Sequence, residues 1–229
     1  MLRIILAGCH GRMGRQVVTH CKRHADVNIV AGVDRTGRPS EGFPVFSDID
    51  RCYTPADVLI DFSHPEALDP LLAFCTQRKM PILLAVTGYS QRQLEYINHA
   101  IHAIPVFRAA NLSVGANVLQ KLTKTAAAAL GTGFDVNIIE RHHKRKADAP
   151  SGTALTLSLA IGMETAISSI RAGTTAGEHT VLFAGRGEVI ELTHRADSRE
   201  VYAAGAIRAA RYIAEVNRPG LYGMDDLWT

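Results

Sequence analysis

The first half of the chain alternates short apolar runs with stretches whose apolar residues recur at helical spacing. Five apolar runs predict β-strands: Leu2–Ala7, Val27–Asp34, Asp57–Phe62, Pro81–Thr87 and Pro105–Asn111. The segments between them predict helices, the first with Met13 and Val17 on one face and another over Gln91–His102, capped by Ser90. Strands that alternate with helices predict an α/β fold, a Rossmann-type doubly wound parallel sheet that binds ligands at the carboxyl ends of its strands.

The pattern changes in the second half, where strands follow one another more closely. A helix-prone run over Val114–Leu130 leads to a strand at Phe134–Arg141, and a helix follows the Ser-Gly-Thr turn. Two further strands, His179–Ala184 and Glu188–Arg195, flank a Gly-Arg-Gly turn and predict a hairpin. A last helix is predicted from about Ser198 to Val216. This order of elements is typical of an α+β domain.

The change of pattern predicts two domains. We expect a dinucleotide-binding domain over residues 1–112, completed by the carboxyl-terminal segment 206–229, and a substrate-binding and oligomerisation domain over residues 113–205. Within the terminal segment, Leu221–Trp228 is expected to pack back on the first domain. With 229 residues, 47% of them apolar, the chain is long enough to bury a substantial core.

Composition narrows the function classes. A net charge of +3, from 25 basic and 22 acidic residues, fits a local site for an anionic small molecule better than a nucleic-acid surface. Cys9, Cys21, Cys52 and Cys75 have no metal-type spacing, so we expect reduced packing residues of a cytoplasmic protein and no metal site. The first apolar run ends at Gly8 and no later one reaches about 18 residues, so neither a signal peptide nor a membrane span is expected.

A glycine-rich turn connects the first predicted strand to the first predicted helix. The segment Gly8-Cys-His-Gly-Arg-Met-Gly14 is a variant of G-x-G-x-x-G, in which glycines let the backbone approach a pyrophosphate at a helix N-terminus. Asp34 ends the second strand twenty positions after Gly14 and can accept a hydrogen bond from a ribose 2′-hydroxyl. Arg35 can stack on adenine or bind a 2′-phosphate, which leaves NADH and NADPH both open.

The second chemical signal is the segment Glu140–Thr153. It places two histidines and three cations at positions 142–146, shortly before a Ser-Gly-Thr turn that starts an apolar helix. A proton-transfer group and cations beside a helix N-terminus favour a carboxylate-bearing substrate. The alternative for this segment alone is a solvated basic loop before a capped helix. Lys144 and Arg145 are expected to be solvated, and Glu140 could orient a histidine or form a salt bridge with a neighbour.

Together these segments resemble the 4-hydroxy-tetrahydrodipicolinate reductase (dihydrodipicolinate reductase) family of bacterial diaminopimelate and lysine biosynthesis. The most specific match is H-H-x-x-K-x-D-A-P-S-G-T at His142–Thr153. The other matching segments are Gly8–Gly14, Asp61–Glu66, Val86–Gly88, Ala110–Gly115, Gly177–Val181, Glu191–Ala196 and Gly220–Asp225. The resemblance implies NADH- or NADPH-dependent reduction of 4-hydroxy-tetrahydrodipicolinate, a small heterocyclic dicarboxylate, to tetrahydrodipicolinate. It also implies a homotetramer.

The resemblance further implies a role for individual residues. His142 matches the general acid/base, and Lys146 matches the proton donor to the reduced substrate. The residues that match groups holding the substrate carboxylates are His143, Ser151, Gly152 and Thr153. The residues that match cofactor contacts are Gly8, Cys9, His10, Gly11, Arg12 and Met13 at the pyrophosphate, Asp34 and Arg35 at the adenosine ribose, and Ala85, Val86, Thr87, Ala109, Ala110, Asn111 and Leu112 beside the nicotinamide.

Three features depart from the family pattern. Relatives commonly have glycine in place of Ala85 and a small residue in place of His10, and the segment 37–56 leaves little room for a helix. Two other functions remain as alternatives. One is a different two-domain NAD(P)-dependent dehydrogenase, which would need its own catalytic residue, such as a reactive cysteine. The other is a non-catalytic NAD(P)-sensing module whose basic loop binds nucleic acid.

Overall fold

The computed structural model describes residues 1–228. Its strands are β1 (Leu2–Ala7), β2 (Val27–Val33), β3 (Val45–Phe46), β4 (Val58–Asp61), β5 (Ile82–Leu84), β6 (Pro105–Arg108), β7 (Asp135–His142), β8 (Ala166–Arg171), β9 (Gly177–Gly185), β10 (Glu188–Ala196) and β11 (Gly220–Tyr222). Its α-helices are α1 (Arg12–Cys21), α2 (Leu68–Gln77), α3 (Gln91–Ala100), α4 (Val114–Leu130), α5 (Gly152–Ile161) and α6 (Glu200–Glu215). The chain divides into two compact units: unit 1 holds Met1–Leu112 and everything from Tyr202 onward, and unit 2 holds Ser113–Val201.

Unit 1 contains a seven-stranded sheet in the order β11-β6-β5-β4-β1-β2-β3. All of its neighbouring strands pair in parallel. The strand order reverses at the β1/β4 boundary. The chain adds β2 and β3 on one side of β1, and then β4, β5, β6 and β11 on the other side. This confirms the predicted Rossmann-type fold, and ligands of such sheets bind in the crevice outside the carboxyl ends at this reversal.

The helices of unit 1 follow from the local sequence. Ser90 begins α3 with a capping box, because its side chain accepts from the backbone amide of Gln93 while the Gln93 side chain accepts from the backbone amide of Ser90. Pro70 lies in the first turn of α2, where a helix tolerates proline. The sheet core is aliphatic, and Ile5, Leu59 and their neighbours are almost completely buried beneath these helices.

Unit 2 contains a four-stranded sheet in the order β10-β9-β7-β8. The β7/β8 pair is parallel, whereas β9 is antiparallel to both β7 and β10. Leu119 of α4 and Leu157 of α5 belong to one buried cluster with Ile138, Val181 and Phe183 of the sheet. The helices therefore cover one face of the sheet. This part of the chain has the α+β architecture that the sequence predicts.

Several element boundaries differ from the sequence-based expectation. β5 ends at Leu84 rather than Thr87, and β6 ends at Arg108 rather than Asn111, because the chain leaves the sheet as soon as its neighbours do. β3, β8 and β11 were not predicted. β3 and β11 have only 2 and 3 residues, and β8 is mostly exposed, so none of them has a clear apolar pattern. None of the helices described over residues 1–228 is long and apolar enough to cross a bilayer.

Candidate active site

Unit 1 has a crevice of about 750 Å³ at the carboxyl edge of its sheet. The lining residues are His10, Gly11, Arg12, Met13 and Arg15 after β1, Phe62, Ser63, His64 and Pro65 after β4, and Ala85, Val86 and Thr87 after β5. The crevice thus brings together two of the segments that the sequence assigns to the cofactor. The crevice also includes Phe62–Pro65, a part of the family-matching segment Asp61–Glu66 to which the sequence assigned no role.

Close backbone approach explains why the loop after β1 needs glycine. Gly8 has a positive φ of 73°, and a Cβ there would lie 2.6 Å from the carbonyl oxygen of Phe62. At Gly14, a Cβ would lie 2.1 Å from the carbonyl oxygen of Gly8. Gly11 occupies the N-cap of α1, so no capping side chain covers the first amides of this helix. The loop and helix start therefore form a concave backbone surface suited to a pyrophosphate.

Cys9 lies in this loop but is 2% exposed. Burial, followed by the nearby Asp34 carboxylate, raises the pKa of its thiol to about 11. Burial likewise raises the pKa of Cys21 to about 11 and the pKa of Cys75 above its usual range. Protonated, buried thiols are poor nucleophiles, so these three cysteines do not supply the reactive residue that a different dehydrogenase would need.

Asp34 follows β2, beside the glycine-rich loop. One of its carboxylate oxygens accepts from the Thr36 amide at 3.1 Å and from the Thr36 hydroxyl at 3.0 Å. Burial alone would raise the pKa of Asp34, but the bonds from Thr36 and the proximity of His10 lower it overall. His10 also contacts the carbonyl oxygen of Arg38 at 2.9 Å. These contacts hold the loop after β2 against the glycine-rich loop, with the ionised Asp34 carboxylate between them. Arg35, the next residue, is exposed.

The fourth predicted cofactor segment, Ala109–Leu112, directly follows β6. Its first amide donates to the carbonyl oxygen of Leu84 at 3.2 Å, which places the segment beside the end of β5. Leu112 is buried against α6, where a Cβ on Gly205 would lie 1.8 Å from the Leu112 carbonyl oxygen. The segment lies at the same sheet edge as the crevice but does not contribute to its lining.

In unit 2, β7 delivers two buried polar side chains to one face of the sheet. Glu140 is 0% exposed and His142 is 7% exposed, and alternation along the strand places both on the same side. Glu140 Oε2 lies 2.5 Å from His142 Nδ1 and accepts from Arg171 Nη1 at 2.8 Å. Its Oε1 accepts from Arg171 Nη2 at 2.6 Å and from the Ser151 amide at 3.2 Å. The Ser169 side chain also hydrogen-bonds to this carboxylate, which therefore faces five donor groups.

Electrostatics keeps this pair in defined protonation states. Burial would raise the pKa of Glu140, but hydrogen bonds from Arg171, Ser169 and His142 outweigh it and lower the value to about 2. Burial lowers the pKa of His142, an effect that Glu140 opposes and that Lys146 and Arg171 reinforce. Near neutral pH the pair is a carboxylate and a neutral imidazole, so Nδ1–H donates to Glu140 and Nε2 carries the lone pair.

A second histidine lies behind the first. His179 of β9 is buried, and its ring meets the His142 ring edge-on at a centroid distance of 5.1 Å. Burial, followed by the neighbouring His142, lowers the pKa of His179 to about 4. Its Nε2 lies 3.0 Å from the hydroxyl oxygen of Ser151, and that oxygen accepts from the Ala154 amide at the start of α5. Ser151 and His179 therefore share a buried hydrogen bond at the start of α5.

The remaining predicted residues lie around the loop between β7 and α5. Lys146 is half-buried, and its Nζ lies 2.7 Å from both carboxylate oxygens of Asp148. His143 is half-buried, with its backbone amide bonded to the Thr175 carbonyl oxygen at 2.9 Å. Gly152 and Thr153 form the first turn of α5. Unit 2 thus brings the histidines, Lys146 and a helix N-terminus together, as the segment Glu140–Thr153 predicts.

Comparison with known proteins identifies the family. The family model "Dihydrodipicolinate reductase, N-terminus" matches residues 2–112, and "Dihydrodipicolinate reductase, C-terminus" matches residues 115–228. The chain belongs to the dihydrodipicolinate reductase family. The resemblance read from the sequence is therefore confirmed.

Curated relatives of this family cover nearly the whole chain. The 4-hydroxy-tetrahydrodipicolinate reductase of Clostridium novyi is 42% identical over 248 aligned positions, covering 99% of this chain and 98% of the relative. The enzyme of the same name from Caldanaerobacter subterraneus is 43% identical, with the same two coverages. A solved dihydrodipicolinate reductase from Paenisporosarcina, with dipicolinate bound, superposes with a TM-score of 0.85 at 24% identity, covering 99% of each chain, and shows the shared fold.

Members of the dihydrodipicolinate reductase family use NADH or NADPH, and the residues of unit 1 fit such a cofactor. The glycine cradle and uncapped helix α1 suit a pyrophosphate, and Asp34 suits a ribose hydroxyl. Among residues 1–228, no group of three or more His, Cys, Asp or Glu side chains has an arrangement that could hold a metal ion.

The reductase site contains three polar residues to which no sequence pattern assigned a role. Arg171 is the counterion of Glu140, His179 contacts Ser151, and Asp148 pairs with Lys146. His179 and Asp148 both lie in segments that match the family, which was an available signal. Arg171 lies in the unpredicted strand β8, 31 residues from Glu140, so no local pattern connects the two.

Proposed function

We propose that this chain reduces 4-hydroxy-tetrahydrodipicolinate to tetrahydrodipicolinate with NADH or NADPH, in diaminopimelate and lysine biosynthesis. The observation that carries the proposal is the buried Glu140–His142 pair beside Lys146 at the start of α5, in a chain that belongs to the reductase family. The substrate is a heterocyclic dicarboxylate. Unit 2 offers cations and helix-terminal amides that suit its two carboxylates.

Different residues of unit 2 transfer protons and bind the substrate. The substrate must lose its 4-hydroxyl as water to give a conjugated imine. Bound NADH or NADPH would supply a hydride to one atom of that imine, and a proton must reach the other atom. The Lys146 ammonium supplies that proton, and His142 Nε2 exchanges protons as the general acid/base. Because burial lowers the pKa of His142, its ring is neutral near pH 7 and can accept a proton. His143 and the first turn of α5, at Gly152 and Thr153, hold the carboxylates.

The family match suggests that Ser151 helps to hold a substrate carboxylate, and the residue also makes hydrogen bonds within unit 2. Its amide donates to Glu140, and its hydroxyl bridges the Ala154 amide and His179. Both polar groups of the residue are therefore engaged inside unit 2. We infer that Ser151 orients the start of α5, while the following amides meet the substrate.

The function test is a spectrophotometric assay of NADH and NADPH oxidation, with substrate generated by the preceding synthase. His142→Gln and Lys146→Ala should each lower kcat by about 10²–10⁴-fold, because each removes a proton-transfer group, while cofactor affinity stays unchanged. Lys144→Ala is the matched control, since Lys144 is exposed two positions from both residues. A folded wild-type protein that binds the cofactor but reduces nothing would contradict the proposal and favour the sensor alternative.

We also propose a cytoplasmic homotetramer assembled through unit 2. Ile139, Ile170 and Val189 are exposed apolar residues, and the strand register places them on the sheet face that α4 and α5 leave uncovered. An exposed apolar sheet face favours burial against another copy. All four cysteines are free, which fits a reducing compartment. Sedimentation equilibrium measures the assembled mass directly.

A further inference from the structure

We propose that Glu140, clamped by Arg171, is a positioning residue that fixes the tautomer and orientation of the His142 ring. Nδ1–H is committed to the carboxylate, which leaves Nε2 as the atom that exchanges a proton with the substrate. This inference rests on the proposed function, because it assigns a role to Glu140 through His142.

The contact between the two side chains is direct and buried. Glu140 Oε2 and His142 Nδ1 are 2.5 Å apart, and the two residues are separated by one position of β7. A carboxylate can only accept, so the facing nitrogen must be the one that carries hydrogen. In a neutral imidazole, this leaves Nε2 without hydrogen and able to accept.

Arg171 holds the carboxylate in place from the neighbouring strand. Its guanidinium donates to both oxygens of Glu140, as a planar two-pronged contact. The same guanidinium donates to the carbonyl oxygen of Asp148 at 2.6 Å, two residues after Lys146. Arg171 therefore connects the Glu140–His142 pair to the loop that carries the second proton-transfer residue.

A salt bridge that only joined β7 to β8 would need Arg171 and nothing more. Here the carboxylate also accepts from the Ser151 amide, the His142 ring nitrogen and the Ser169 side chain. The charged and titratable groups that face His142 are Glu140 on β7, Arg171 on β8, Lys146 on the loop and His179 on β9. Because Arg171 balances the charge of Glu140, the pair selects a tautomer without forcing the ring to become charged.

Glu140→Gln tests this arrangement because the new amide cannot reproduce it. Oε1 faces two donors that keep their hydrogens, Arg171 Nη2 and the Ser151 amide, whereas Oε2 faces only one such donor, Arg171 Nη1, beside the His142 ring. The oxygen of glutamine is therefore expected at the Oε1 position, where it meets both of those donors. The NH₂ group then faces His142 Nδ1 and donates to it. The ring responds by moving its hydrogen to Nε2, which removes the proton-accepting lone pair from the substrate side.

The tautomer is read by ¹⁵N NMR of the histidine-labelled full chain, with His142→Gln used to assign the resonance. We expect the Nδ1–H tautomer in the wild type and the Nε2–H tautomer in Glu140→Gln. In the reductase assay, kcat should fall about 100-fold in this variant, with KM within about threefold. Glu140→Asp keeps a carboxylate and should restore the Nδ1–H tautomer together with part of kcat.

The matched control is Asp57→Asn in unit 1. Asp57 also accepts from an arginine fork and a backbone amide, both of Arg3, but contacts no histidine. This variant should change neither the His142 tautomer nor kcat. If Asp57→Asn lowers kcat as much as Glu140→Gln, the loss reflects a broken salt bridge, and the inference fails.

The inference and the proposed function fail separately. A wild-type His142 in the Nε2–H tautomer overturns the inference even if Glu140→Gln does not fold. Wild-type turnover together with full activity of a folded Glu140→Gln variant overturns it as well, while the reductase proposal stands. The positioning role is supported if His142 carries hydrogen on Nδ1 in the wild type and on Nε2 in Glu140→Gln. If that wild type reduces no substrate, only the proposed function is overturned.

Discussion

The buried polar residues of unit 2 form a connected chain, from Arg171 through Glu140 to His142, and from Ser151 to His179. Each link satisfies a group that would be costly to bury alone. His179 matters because it remains neutral, its pKa lowered to about 4 by burial and by the neighbouring His142. The neutral ring shares a hydrogen bond with the Ser151 hydroxyl, and that bond helps to hold the start of α5.

The depressed pKa of His179 predicts a pH dependence of stability. Below pH 6.5 the unfolded chain binds a proton that the folded protein takes up only near pH 4. The stability is therefore fully present above pH 6.5 and is lost as the pH falls towards 4, at about 1.4 kcal/mol per pH unit. His179→Gln, which can still accept from Ser151, should reduce the loss of unfolding free energy between pH 7 and pH 5 by about 2 kcal/mol.

Urea unfolding at the two pH values measures this difference. His102→Gln is the control, because His102 is exposed and outside the buried network. Equal pH dependence in the wild type and in His179→Gln would show that folding does not lower the pKa of His179, and would contradict the prediction.

At the scale of elements, close packing between α6 and the end of β6 shapes unit 1. Gly205 lies against the backbone of Leu112, with room for a hydrogen atom but not for a methyl group. The segment Ala109–Leu112 is therefore held directly against the helix. We propose that this segment flanks the nicotinamide, so the glycine would act on the cofactor site through backbone position.

Gly205→Ala separates packing from helix propensity. Propensity alone would stabilise α6 by about 1 kcal/mol, whereas the added carbon would lie 1.8 Å from the Leu112 carbonyl oxygen. Overpacking should dominate, with a net loss of about 1–3 kcal/mol in unfolding free energy and weaker NADH binding. Thermal unfolding and a fluorescence titration measure the two effects.

The neighbouring Ala204→Gly is the matched control. Ala204 is exposed on α6, so the change should cost about 1 kcal/mol through propensity and leave NADH affinity unaltered. A Gly205→Ala protein more stable than the wild type would show that the helix and the segment tolerate separation.

Sequence patterns predicted the elements that have strong periodicity or capping signals. The apolar runs gave β1, β2, β4, β5 and β6, and Ser90 gave the start of α3. Strands as short as β3, or as exposed as β8, carry little apolar pattern. Because β8 was not predicted, Arg171 was not recognised as a partner of Glu140. The sequence left open whether Glu140 orients a histidine or forms a salt bridge, and in the structure it contacts both His142 and Arg171. Contacts over 28 or 31 residues depend on tertiary packing.

At the scale of the whole molecule, the chain builds unit 1 from two separated segments. It leaves unit 1 after Leu112 and returns at Tyr202. The returning part supplies α6, with buried residues such as Ile207 and Ile213, and β11, which pairs with β6 at the sheet edge. Residues 1–112 therefore contain the whole glycine-rich loop but not all of the elements that complete their sheet and core.

This organisation predicts different behaviour for two fragments. Residues 1–112 alone should expose the apolar surface that α6 covers and an unpaired β6 edge, and should aggregate. Residues 1–112 joined to 202–229 by a short Gly/Ser linker should fold and bind NADH, because Gly205 lies against Leu112 and the two ends are close. The joined protein lacks His142 and Lys146, so it should bind the cofactor without reducing the substrate. Circular dichroism and NADH fluorescence distinguish the fragments, and cooperative unfolding with NADH binding by residues 1–112 alone would show that α6 and β11 are dispensable for unit 1.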